Sequence, residues 1–91
     1  ISIENRDIMI HEIQALVKDN ILLLRLNTKP IRQEKRNTSN YIIVHGFKDN
    51  HFHIIDPAFG SLSIPTETIK EAFDTLETKK FRDHRMIIFP R

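Results

Sequence analysis

Five histidines, one carboxylate set before a proline and two runs of basic side chains are the groups through which chemistry could pass in this 91-residue sequence. His45, His51 and His53 lie close enough together for their imidazoles to share a divalent cation. Zinc sites draw about four ligands, often thiolates, and this sequence has no Cys. The three therefore read as exposed or cross-strand paired histidines, with no metal and no cofactor expected. His11 and His84 read as ordinary surface residues. Asp56, followed by Pro57, reads either as a turn cap that accepts backbone N–H bonds or as a carboxylate that orients another group. The absence of Cys also removes thiol nucleophiles and disulfides, and leaves the redox compartment open.

Charge is nearly balanced, 14 basic against 12 acidic residues for a net +2, which does not imply nucleic-acid binding. It is unevenly placed. Arg25, Lys29, Arg32, Lys35 and Arg36 meet only Glu34, and Lys79, Lys80, Arg82 and Arg85 cluster near the end. Both runs read as solvated loops, although either could face an acidic partner. The longest apolar run, Ile21 to Leu24, is far below the ~20 residues that cross a bilayer, so no membrane contact is expected. A first residue of Ile, with no signal-peptide pattern after it, suggests a cut or processed piece. Tyr41, Phe47, Phe52 and Phe59 read as core or cross-strand aromatics, and the triplet Asn37-Thr38-Ser39 is too common to use.

The elements that must hold these groups follow from periodicity. Asp7 to Lys18 has the apolar spacing of one helical face (Met9, Ile13, Leu16; Ile10, Ile13, Val17), with Asn5 or Asp7 available as N-cap. Ile21 to Leu26 is too short for another helix and reads as a buried strand. Pro30 breaks the pattern, and Asn27 to Ser39 reads as a long exposed loop. Tyr41 to Phe47 and Phe52 to Ile55 form the clearest hairpin, with Lys48-Asp49-Asn50 as turn. Pro57 ends the second strand and Gly60 lets the chain reverse. A helix after Pro65 carries Ile69, Ala72, Phe73 and Leu76 as a full apolar stripe, and Met86 to Phe89 is a last strand. The expectation is an α+β unit over residues 1–91, a single domain or part of a larger one: an antiparallel sheet of about four strands packed by two helices.

One stretch is more specific. Asn40-Tyr41-Ile42-Ile43-Val44-His45-Gly46-Phe47, a turn, Phe52-His53-Ile54-Ile55-Asp56-Pro57-Ala58 and then Leu62-Ser63-Ile64 before a helix resembles the C-terminal half of the bacteriocin-leader (double-glycine) cysteine peptidases. These are papain-like proteins, many of them domains of bacterial peptide exporters. The family's pattern is His, an aromatic, three apolar residues, any residue, Gly and an aromatic, then a strand ending in Asp-Pro. The helix and strand from Ile8 to Leu26 also fit, so the resemblance covers roughly residues 8 to 90.

The resemblance implies a Cys nucleophile, a His base and an orienting Asp. Asp56 stands at the Asp position, but Asn40 stands at the His position, and a carboxamide cannot serve as a general base near neutrality. His45, five residues on, lies on the opposite strand face from Asn40. Register decides whether Asn40 and Asp56 share a face. A three-residue loop at 48–50 pairs Ile42 with Asp56 and His45 with His53, whereas a two-residue loop pairs Ile43 with Asp56 and separates Asn40 from it.

The implied function is a degenerate, non-catalytic peptidase-like domain of a cytoplasmic part of an exporter. It would recognise a peptide or protein cargo beside Asn40 and Asp56, with the basic 25–36 segment as rim. Two alternatives stand: half of an active cysteine hydrolase whose Cys lies in another segment, or an unrelated basic interaction module. A homo-oligomer, or the remainder of a larger chain, would cover any apolar surface left exposed.

Overall fold

The computed structural model describes residues 1–76 and 84–91. In chain order the elements are β1 (Ser2–Arg6), α1 (Ile10–Leu16), β2 (Asn20–Asn27), α2 (Lys29–Arg32), β3 (Ser39–Lys48), β4 (His51–Asp56), β5 (Gly60–Pro65), α3 (Thr66–Asp74) and β6 (His84–Pro90). Six antiparallel strands form one sheet in the order β1-β6-β2-β3-β4-β5. The class is α+β as expected, but the count of four strands and two helices is too low.

Each missed element has a physical reason. The strand β1, Ser-Ile-Glu-Asn-Arg, is mostly polar and exposed because it lies on the sheet edge, so neither its composition nor its alternation marks it. β5 has only Leu62 and Ile64 as sizeable aliphatic side chains and takes its identity from pairing with β4, in a ladder running from Asp56↔Gly60 to His51↔Pro65. The third omission, α2, is a single turn started by Pro30 inside what reads as a loop.

Helix α1 is shorter than the spacing suggests and is capped differently. Met9, rather than Asn5 or Asp7, is the N-cap. The Glu12 carboxylate accepts the Met9 N–H at 3.1 Å and pairs with Arg6 at 3.0 and 2.5 Å. Arg6 and this backbone bond together lower the Glu12 pKa to about 2. Ile13 and Val17 then face the sheet, where α3 adds Ile69, Ala72 and Phe73. Alternate residues of the central strands meet them: Leu22, Leu24 and Leu26 of β2, Ile42 and Val44 of β3, Phe52 and Ile54 of β4, and Met86 of β6. The core is thus a single layer between helices and one sheet face.

The hairpin turn has two residues, Asp49 and Asn50, both left-handed at φ 52° and 60°, flanked by the pair Lys48↔His51. Taken alone, this turn would put Ile43 opposite Asp56. A β-bulge between Val44 and Gly46 intervenes, with Gly46 paired to His53 but Val44 to Ile54 and Ile43 to Ile55. One extra residue, His45, therefore restores the register that a three-residue loop would have given. Continuing the ladder brings Ile42 opposite Asp56, on the helix-covered face. The His45 ring sits beside His53 on the other face, centroids 6.3 Å apart. The Arg91 guanidinium donates to the carbonyl of the bulged His45.

The left-handed turn supplies a test. Asn tolerates this conformation better than residues with a plain Cβ, so Asn50→Ala should destabilise the fold by about 1 kcal/mol and Asn50→Gly should not. Chemical denaturation of the two variants checks the difference.

Candidate functional site

Asp56 is 1% exposed at the end of β4 and is held by three hydrogen bonds from two partners. Arg32 grips it with two parallel bonds, Nε to Oδ2 at 2.9 Å and an Nη to Oδ1 at 2.7 Å. Oδ1 also accepts the Ala58 N–H at 2.8 Å, closing the turn through Pro57. The Arg32 side chain is itself only 9% exposed, and its guanidinium lies 5.9 Å from the centroid of Phe59. Paired in this way, the Asp56 carboxyl titrates below its ordinary range, the Arg32 hydrogen bonds being the largest cause and burial opposing them. Arg32 is pushed up in turn.

The segment expected to be a long exposed loop is what delivers Arg32. Asn27 and Thr28, 2% and 0% exposed, close its base. The Asn27 carboxamide donates to Asn37 Oδ1 at 2.9 Å and Thr75 Oγ1 at 2.8 Å, and accepts N–H bonds from Lys29 at 3.1 Å and Thr38 at 3.2 Å. Thr28 binds Thr38 through its N–H at 2.7 Å. Gln33, left-handed at φ 53°, ends the single turn of α2 just after Arg32. The basic run is therefore not uniformly solvated. Arg32 is a buried anchor and Arg25 donates to Ser39 at 3.2 Å. In the second basic run Arg85 is exposed on β6, while Lys79, Lys80 and Arg82 lie outside the described residues.

Asn40 pairs with Leu26 and lies two residues along β3 from Ile42, so it shares the face of Asp56. At that diagonal, Cα atoms are about 7–8 Å apart. Asn40 is nevertheless exposed, and its Oδ1 accepts the N–H of Tyr41 at 2.8 Å rather than reaching Asp56. A shallow cavity of about 160 Å³, lined by Asn27, Asn37, Thr38, Ser39 and Leu76, opens beside it.

The histidines do not complete a site. His51 faces its own turn, its Nδ1 2.8 Å from the Asp49 carbonyl, and no cluster of metal-ligating side chains occurs among the described residues. His84 is a correction: it begins β6 and is 4% exposed, not a surface residue. Its Nδ1 accepts the Ile8 N–H at 2.9 Å, its Nε2 faces the Phe73 carbonyl at 3.4 Å, and its ring meets Phe73 edge-on. These bonds tie β6 to α1 and α3 and leave the imidazole no free nitrogen. Sequence reasoning missed Asn27 and the buried role of Arg32. The Thr-Lys-Pro start of a helical turn, directly after a strand, was the available signal for both.

The ion pair predicts how the site fails. Asp56→Asn leaves a buried guanidinium unmatched and should destabilise the fold by about 3 kcal/mol. Because the Asp56 pKa is lower folded than unfolded, its contribution is present above the ordinary carboxylate range and is lost as pH falls through the folded value. Denaturation between pH 7 and 2 should therefore show wild type and Asp56→Asn converging only at the acid end.

With this geometry in place, comparison with known proteins gives one match. No curated protein and no solved structure matches the chain. The family model described as Peptidase C39 family matches residues 4–78, most of the 91-residue sequence, including α1, the β3–β4 hairpin and α3. The chain belongs to the Peptidase C39 family.

Proposed function

We propose that this chain is a non-catalytic member of its family, retained for recognising a peptide. The observation that carries this reading is the state of Asp56. In a working peptidase this carboxylate must be free to orient an imidazole. Here both of its oxygens are taken by Arg32, and Asn40 stands where the base would be. An acid–base relay has been replaced by a structural clamp.

Restoring the relay would need a histidine on the Asn40–Asp56 face. His84 is on that face, but Leu26 of β2 lies between it and Asn40, and both of its nitrogens are engaged. This counts against the reading in which the chain is half of an active hydrolase completed by a Cys elsewhere. The reading as an unrelated module falls with the family match. What the clamp leaves intact is the shallow cleft beside Asn40, lined by Asn27, Asn37, Thr38, Ser39 and Leu76, as a seat for an extended peptide. We place the domain in the cytoplasmic part of a bacterial exporter, and no helix among the described residues is long and apolar enough to cross a membrane.

A synthetic double-glycine leader peptide tests the proposal. Mass spectrometry should show no cleavage by the wild type or by Asn40→His, which still lacks a nucleophile. Fluorescence anisotropy of the labelled peptide should show saturable binding, weakened about tenfold by Asn40→Arg. Turnover above background by wild type would overturn the non-catalytic reading, and absence of binding would overturn the recognition role.

A further inference from the structure

We propose that the helix-free face of the sheet binds a second copy of this chain, face to face across a two-fold axis. The surface is distinct from the cleft at Asn40 and does not depend on the peptidase-derived reading.

All the described helices pack on one side, and the other side is not polar as a solvated face would be. In register across five neighbouring strands run Ile3 (β1), Ile87 (β6), Leu23 (β2), Ile43 (β3) and Ile55 (β4). Ile3 is 54% exposed, Ile43 36% and Ile55 39%. An unbroken aliphatic row of this length is unusual on a free surface.

Above and below it the flanks differ. One flank carries Arg85, Arg25 and Tyr41, and the other carries Phe89, Ile21 and His45, on β6, β2 and β3 respectively. The strands place no Asp or Glu on this face. Two copies related by an axis lying along the aliphatic row, perpendicular to the strands, keep each strand over its counterpart but exchange the flanks. The aliphatic row then meets itself. Arg85 of one copy lies over Phe89 of the other, Arg25 over Ile21 and Tyr41 over His45. Arginine on aromatic and aliphatic side chains, with no arginine facing arginine, is a self-complementary arrangement. The alternative axis, along the strands, would stack the arginines and is disfavoured.

The size also suffices. Five strands spaced about 4.8 Å apart and a depth of three outward residues give on the order of 500 Å² of flat area per copy. With surface relief, two copies approach the roughly 1,200 Å² at which specific interfaces begin.

Sedimentation velocity from about 1 to 200 μM should show the wild type passing from monomer to dimer, and Ile43→Lys should shift that transition at least tenfold upward. Circular dichroism melts check that this variant folds. Because the chain has no native Cys, Ile43→Cys reports geometry independently: a short bis-maleimide should link two copies, and should not link Lys70→Cys at an exposed position of α3. A wild type that stays monomeric throughout, or equal cross-linking at positions 43 and 70, overturns the proposal. So does a monomer that is retained instead by vesicles containing phosphatidylserine, which would assign the face to an anionic membrane.

Discussion

One inserted residue in β3 determines what each side of this sheet is made of. A two-residue left-handed turn at Asp49-Asn50 fixes the start of the hairpin, and every pair beyond it would be offset by one without the bulge at His45. Because side chains alternate, that offset would move Ile54 and Asp56 out of the core and bring Ile55 into it. The bulge lets Phe47 and Val44, three residues apart on β3, both face the side of Phe52 and Ile54, where plain alternation would put them on opposite faces. Gly46 suits this point, since a Cβ there would come within 3.2 Å of the His53 ring.

The buried ion pair follows from that register. Once Asp56 is directed into the helix-covered side, a charged carboxylate 1% exposed requires a partner, and the connection between β2 and β3 supplies it in Arg32. The chain meets this need by folding the connection back on itself through Asn27 and Thr28 and presenting Arg32 from one helical turn. The same clamp engages both carboxylate oxygens, one of which also accepts the Ala58 N–H across the turn at Pro57. Membership of the Peptidase C39 family and this buried ion pair thus occur in one chain, with Asp56 held by Arg32.

The two faces of the sheet carry different burdens. The helix-covered face buries Leu22, Leu24, Leu26, Ile42, Val44, Phe52, Ile54 and Met86 almost completely. The uncovered face still holds a second aliphatic layer. Strands polar on one face alternate with apolar residues, whereas Ile21 to Leu24 and Met86 to Phe89 are continuously apolar, the pattern of strands meant to be covered on both sides.

The sequence by itself determined the central elements. The apolar runs of β2, β3, β4 and β6, the helical stripe of α3, Pro57 as a strand end and the motif from Asn40 to Asp56 were all legible, because period and composition are local properties. It also showed that Asn40 cannot replace a catalytic histidine, since that follows from side-chain chemistry alone. Tertiary structure decided the rest. The edge strands β1 and β5 exist only through the ladders that recruit them, and His84 is buried because α1 and α3 close over it. Arg32 looked like one more solvated cation until the fold brought it against Asp56, twenty-four residues away. Loop length alone left the faces of Asn40 and Asp56 undecided. The bulge resolved them, and a bulge is set by how buried side chains compete across two strands, which no single strand records.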